Sequence, residues 1–330
     1  MRFGHCARGP IVSAAAVLLL LAAAIAPASA QSDYPNRPIR VIVGFAAGGG
    51  NDIFARLVGA KLSEIVGQPV VIENKPGAEG RLSAEYASHQ PADGYTLLVA
   101  PSGTMVIAAA IYPDLKYNPT KTFMPLAMIT SFPLIMVIAA DHPANNVREL
   151  VEWAKLHPDK ANYASSSPSF TITTELLKLQ SGMPGVMIPY KSTNEIVLSV
   201  IQGQTMTGFV DGPPAIPQVK AGKIKALAVT GAERSSQLPD VPSMAEAGYP
   251  GVDYLGWSGV FAPAAIPPAI AAKLEKALSE AIRDPGVSAK LKNMAVDPGG
   301  GPPEDLRRMI DADIVKYTKV VKAANLHFEE

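Results

Sequence analysis

Residues 39–62, IRVIVGFAAGGGNDIFARLVGAKL, restrict this chain to a narrow set of folds. The segment opens with Ile39, Val41, Ile42 and Val43, the β-branched composition of a buried strand. Gly48, Gly49 and Gly50 interrupt it, and Asn51 and Asp52 supply a helix N-cap signal. Ile53, Phe54, Leu57, Val58 and Leu62 then recur at helical spacing. A strand that feeds a helix through a glycine turn is the start of a βα unit, and successive units of this kind build parallel sheets.

The junction also has a chemical consequence. Glycine lets a bound group approach the backbone, and the first turn of a helix leaves N–H donors without partners. Together with the positive end of the helix dipole, these donors favour a carboxylate or a phosphate. The same glycines also suit a plain tight turn, and the stretch by itself is compatible with either use. Its spacing does exclude two phosphate motifs: GFAAGGG has neither the GxGxxG pattern of dinucleotide binders nor the GK[ST] ending of a P-loop.

The βα pattern continues along the chain. Residues 69–73 (PVVIE) and 95–100 (YTLLVA) read as strands, with a Gly-rich loop at 74–80 and a short helix expected over 82–89. Pro101, Ser102, Gly103 and Thr104 form a polar junction after the third strand. Three strands, each followed by a polar loop and a helix, predict a parallel sheet whose loops converge on one edge, where α/β sheets bind ligands. The apolar run 132–140 (FPLIMVIAA) predicts a long strand, and Asn146 caps a helix over 147–156.

A second series follows. Ser165, Ser166, Ser167, Pro168 and Ser169 precede a helix over 170–181, and a strand over 186–189 leads through Tyr190, Lys191, Ser192 and Thr193 into a helix reaching 201. A strand over 207–210 ends in the loop Asp211-Gly212-Pro213-Pro214, and 225–230 is another strand. After a Pro/Gly loop at 239–251 come a strand over 254–262, an amphipathic helix over 269–283 and two further helices. The economical layout is α/β, with residues 31–132 and 254–330 in one lobe, 133–253 in the other, and strands crossing between them.

Composition narrows the function class. With 330 residues, 48% apolar and 18% charged, the chain can bury a large core. Lys and Arg number 29, as do Asp and Glu, so no basic excess is available to neutralise a nucleic acid. At the N-terminus, Arg2 and Arg8 precede an apolar run over 12–25, and Ala28-Ser29-Ala30 matches a secretory cleavage site. Residues 1–30 are therefore expected to be a cleaved signal peptide, with a bacterial periplasmic address for the mature chain. The single cysteine, Cys6, would leave with it, and with it any disulfide or thiol chemistry.

Catalysis has no constellation to stand on. His89, His142, His157 and His327 are scattered, no HExxH or GxSxG pattern occurs, and Asp52 is better read as a cap than as a base. No catalytic residue, metal site or cofactor is expected. The hydroxyl-bearing loops at 102–104, 165–171 and 192–193 offer neutral donors that, with helix starts, can hold a small organic anion. Arg81 is the one cation in the first-lobe loops; it either meets a second carboxylate or sits exposed on a helix.

The ordered series GFAAGGGNDIFAR, GQPVVIENKPGAEG, PADGYTLLVAPSGT, NYASSS, PYKS, GKIKALAVTGAERSSQLPDVPSMAEAGYPG and GVFAPAAIPP resembles the Bug (TctC-like) solute-binding proteins of tripartite tricarboxylate transporters. The resemblance runs nearly the length of the mature chain. It implies a type II periplasmic-binding-protein fold that closes on its ligand, and a non-catalytic receptor, monomeric, that passes a small carboxylate to membrane permease subunits. Dicarboxylates, aromatic acids and amino acids are the candidate ligands. A sensor subunit signalling to a membrane kinase would use the same cleft.

By this resemblance a ligand carboxylate would be held by Phe45, Ala46, Ala47, Gly48, Gly49, Asn51 and Asp52 of the first loop. Ser165, Ser166, Ser167, Ser169, Phe170 and Thr171 would meet it from the second lobe, with ordered waters between. Ser102, Gly103 and Thr104 would line the cleft, with Tyr190 and Asp211 as further contacts. The chain departs from the family pattern in these loops: GFAAGG stands for PFPPGG, Glu79 and Arg81 replace small or amide residues, and Phe170 and Thr171 lie near a usual histidine. Fold and role carry over on this reading; ligand identity does not.

Overall fold

The computed structural model describes Met1 and residues 34–323; the expected signal segment and its cleavage point lie outside them. The chain opens with β1 (Ile39–Val43), α1 (Gly50–Val66), β2 (Val70–Asn74), α2 (Arg81–Ser88) and β3 (Thr96–Pro101). β1 pairs in parallel with β2 and β3, so that Val41 lies opposite both Ile72 and Leu97. α1 packs Phe54, Ala55, Val58 and Leu62 inward and ends where Gly67, at φ 71°, adopts the left-handed turn and donates its N–H to Ser63 O.

A π-helical turn (Gly103–Ile107) and a short α3 (Ala108–Ile111) lead to β4 (Phe123–Pro133) and β5 (Ile135–Ala139). The expected single strand over 132–140 is therefore two strands, and most of β4 precedes it. Pro133 has no N–H for a ladder and ends β4, and the chain leaves the first sheet there. α4 (Val147–Leu156) begins at Asn146, whose side chain accepts the Glu149 N–H as expected of a cap.

Next come β6 (Asn162–Ser165), α5 (Pro168–Ser181), β7 (Val186–Pro189), α6 (Thr193–Ile201), β8 (Thr207–Val210), α7 (Gly212–Lys220) and β9 (Ile224–Val229). α7 replaces the loop expected after residue 210. β10 (Leu255–Pro263), α8 (Pro268–Arg283), α9 (Pro285–Asn293), the two-residue β11 (Asp297–Pro298) and α10 (Pro303–Ala323) complete the chain.

The two sheets share one plan. The first has the order β11-β4-β10-β3-β1-β2 and the second β7-β6-β8-β5-β9. In each, three parallel strands adjoin one antiparallel strand that arrives from the other sheet: β10 in the first, β5 in the second. The crossovers are tied together at one side chain. The Leu134 N–H donates to Thr230 Oγ1 at 2.9 Å, and Thr230 Oγ1 donates to Tyr254 O at 2.5 Å, so one buried hydroxyl joins the outgoing and returning strands. Thr230→Ala strands both backbone groups; chemical denaturation should show a loss of about 1–3 kcal/mol. A loss of a few tenths would mean the crossover is held by packing alone.

Candidate ligand-binding site

The carboxyl edges of β1 and β6 face each other across the boundary between the sheets. On the first side, Phe45 is buried below the turn and Gly49 and Gly50 open α1. Gly49 is the N-cap, and no side chain caps that end. The N-cap expectation for Asn51 and Asp52 is corrected accordingly, because both lie inside the first turn. Asp52 instead reaches back: its carboxylate accepts from the Gly48 N–H at 3.0 Å, from Asn74 Nδ2 at 2.8 Å and from Arg56 at 2.9 Å. Burial pushes its pKa up, but those donors outweigh it and hold the group below the ordinary carboxylate value. Asn51 is fixed by Ser258, whose hydroxyl donates to its Oδ1 at 2.7 Å.

Because Asp52 ties the glycine turn to β2, Asp52→Ala should cost about 1.5–3 kcal/mol, the range for hydrogen bonds to a charged group. Urea denaturation would register it. A change within a few tenths of a kcal/mol would show that the turn holds its shape without this carboxylate.

On the second side, Ser165 ends β6 and Ser167 is the N-cap of α5, again without a side-chain cap bond. Ser165 Oγ donates to Ser167 O at 3.1 Å and lies 2.8 Å from Thr171 Oγ1, which shapes the loop from behind. Asp211 is the N-cap of α7, and Thr193, at the start of α6, hydrogen-bonds its side chain. Four helix starts, those of α1, α5, α6 and α7, thus surround one cleft.

The cleft is closed down to about 10 Å³, room for about one water, and is lined by residues of both sheets. Phe45, Gly49, Asn51, Ser166, Ser167, Ser169, Phe170 and Asp211 of the expected site meet there. Asp52, Ser102, Gly103, Thr104, Ser165 and Thr171 stand behind the lining, buried and bonded to it or to its supports. Ala46, Ala47 and Gly48 form the outer turn, with Ala47 and Gly48 exposed. Tyr190 is half-buried outside the cleft, its N–H on Ser165 O. Arg81 also lies outside, its guanidinium 3.4 Å above the Tyr112 ring and its Nε on Ala78 O. That stacking gives the cation a partner away from the cleft.

Pro101, Phe132 and Tyr254 also line the cleft, and sequence reading missed them because they arrive from strand ends and crossovers. Tyr254 matters most. Its hydroxyl lies 2.6 Å from Ser102 Oγ and donates to Ser169 Oγ at 2.7 Å, joining first-sheet and second-sheet loops. Burial pushes its pKa up to about 12, so the hydroxyl keeps its proton at any ordinary pH.

The two sides are pressed together. The Ala46 N–H donates to Lys191 O at 3.0 Å. A Cβ placed on Gly50 would fall 2.1 Å from Asp211 Oδ2, and one on Gly103 would fall 2.4 Å from Ser167 Oγ. Only glycine permits this approach. Glu79, in the left-handed region at φ 55°, adds a further link: Tyr112 donates to one carboxylate oxygen at 3.0 Å and Thr171 to the other at 3.4 Å. Burial pushes its pKa up against these donors and Arg81.

No Lys, Arg or His is among the lining residues. Among the described residues, three buried side-chain polar atoms lack a hydrogen-bond partner, and two of them, Ser167 Oγ and Asp211 Oδ1, belong to this cleft. Buried polar atoms in native proteins are paired as a rule. Uncapped helix starts and two partnerless polar atoms thus meet in one cleft between the sheets.

Comparison with known proteins identifies the family. A model described as "Tripartite tricarboxylate transporter family receptor" matches residues 54–326. Protein BugT of Bordetella pertussis is 30% identical over 309 residues, covering 93% of this chain and 94% of that protein. Among solved structures, the periplasmic binding protein BugD is 29% identical with a TM-score of 0.86, over 90% of this chain and all of that one (100%). An adipate-bound protein of R. palustris is 32% identical with a TM-score of 0.85, over 89% and 99% of the two chains. MatC of Rhodopseudomonas palustris, solved with malate, is 32% identical with a TM-score of 0.84, over 87% and 100%. The three structural relatives are a periplasmic binding protein and two proteins solved with a bound acid, and the two-sheet architecture is that of periplasmic binding proteins. On its sequence and its fold, this chain belongs to the tripartite tricarboxylate transporter receptor family.

Proposed function

We propose that the chain is an exported periplasmic receptor that closes on a small organic carboxylate and delivers it to the permease subunits of a tripartite tricarboxylate-type transporter. The observation that carries this reading is the cleft itself: uncapped helix starts from both sheets surround it, and it holds partnerless polar atoms and no cation. Backbone N–H groups at a helix start bind anions without a charged side chain. The carboxylate would sit against Gly50 and Asn51 on one side and Ser166, Ser167 and Ser169 on the other. Contact with both sides stabilises the closed arrangement, which is how a ligand shifts a hinge equilibrium. Adipate and malate on structural relatives support the ligand class.

The test is a thermal-shift and calorimetric screen of dicarboxylates, aromatic acids and amino acids. A true ligand at 100 times its dissociation constant adds roughly 2.7 kcal/mol to stability. Silence from every acid in the screen contradicts the reading.

A further inference from the structure

The proposed carboxylate ligand would enter a cleft that already holds a carboxyl group. Asp211 is fully buried, its Oδ1 has no hydrogen-bond partner, and it faces Gly50 at the start of α1. Its carboxylate is hydrogen-bonded by Thr193 and by its own backbone N–H, and burial outweighs both. Charged groups on the elements packed against it have partners elsewhere. Asp52 and Arg56 of α1 pair with each other, Glu195 of α6 accepts from the Lys191 N–H, and Lys220 of α7 donates to Gln237. Lys292 of α9 lines a different cavity. Among the described residues, no charged group stands out as an electrostatic partner of Asp211.

Two carboxylates without a counter-ion cannot share one dry cleft, since like charges there disfavour ionisation of one of them. A proton resolves the conflict and turns the idle Oδ1 into a donor. We propose that Asp211 takes up one proton as the receptor closes on its ligand, and that the protonated carboxyl then donates a hydrogen bond to the ligand carboxylate. This rests on the receptor reading above and adds a specificity-determining group to it: the site would favour anions over ligands that carry an ammonium, and would hold them more tightly in mild acid. Burial is consistent with this, pushing the group from the ordinary aspartate value up to about 7 in the closed chain.

With the lobes apart Asp211 is solvated and ionised above the ordinary aspartate range; closed, it is protonated up to about 7. Within that window, closure takes up a proton, and affinity falls roughly tenfold per pH unit. The experiment is isothermal titration of the full mature chain with adipate, malate and glutamate at pH 5.5, 6.5 and 7.5, each in two buffers of different ionisation enthalpy. The expected result is uptake of close to one proton per acid bound at pH 6.5 and a matching weakening with pH. Asp211→Asn, a neutral donor of the same shape, should lose that pH dependence; should this variant fail to fold, the proton count on the unsubstituted chain decides the matter alone. Binding without proton uptake, or affinity that rises with pH because an ionised Asp211 holds the glutamate ammonium, overturns the proposal and leaves the receptor reading standing. Silence from all three acids at pH 5.5, followed by silence across the wider screen, overturns both.

Discussion

Gly50→Ala is expected to cripple ligand binding while leaving the ligand-free chain folded. Alanine is the best residue for a helix and suits the first turn of α1, so the first lobe itself has no reason to suffer. The added Cβ, however, would fall 2.1 Å from Oδ2 and 2.6 Å from the carboxyl carbon of Asp211, a side chain that is wholly buried and bonded to Thr193. Overpacking of this kind costs about 1–3 kcal/mol, and it falls on the arrangement in which the starts of α1 and α7 meet. That corresponds to a roughly 5- to 150-fold weaker dissociation constant. Calorimetry on the variant, paired with its unfolding curve, separates the two effects. Unchanged affinity would mean that the ligand is held with the helix starts further apart than they are here.

Tyr254→Phe should have a comparable effect by the opposite route, removal of atoms rather than addition. The lost hydroxyl leaves Ser102 Oγ and Ser169 Oγ without their shared partner in the buried interior. Each stranded group costs about 1–3 kcal/mol. Ser102 retains a long contact from the Trp257 N–H at 3.4 Å, which places its share at the lower end. Because Ser169 belongs to the second sheet's helix α5 and Ser102 to the first sheet's loop, part of the loss appears as lower stability and part as weaker ligand binding. Denaturation midpoints with and without ligand distinguish the parts. If the midpoints match the unsubstituted protein in both conditions, the tyrosine hydroxyl is not what joins the two sides.

How far the sequence could be read depended on where each signal was local. The β1–glycine–α1 unit was legible because its apolar strand, its three glycines and its helical periodicity are contiguous. α4 was legible to its boundaries because Asn146 is a cap with the usual geometry. α7 was hidden by Pro213, Pro214 and Pro217, which read as a loop; the first two occupy the start of the helix, where a missing N–H is harmless. β4 was hidden by its prolines at 125 and 133 and by the apolar run that continues without interruption into β5, so that two strands of different sheets looked like one.

The site divides the same way. Loop residues after strands were findable because the ligand edge of a parallel sheet is set by topology. Tyr254 and Phe132 were not, because they are brought there by the crossing of the strands, and Pro101, at the end of β3, carries no polar side chain to mark it. Arg81 shows the converse: a lone cation in a ligand loop is drawn instead to Tyr112, a ring in a later segment that no local pattern announces. Asp52 was noticed for a role it does not have, since capping residues and residues that reach back from the first turn share the same chemistry.

The most direct trial of the account is a crystal structure of the chain with a bound acid from the screen. Carboxylate oxygens are expected at about 2.7–3.2 Å from the N–H groups of Gly50 and Asn51 and from Ser167 Oγ. An acid found instead against the Arg81 guanidinium, with the cleft between the helix starts left to solvent, would contradict it.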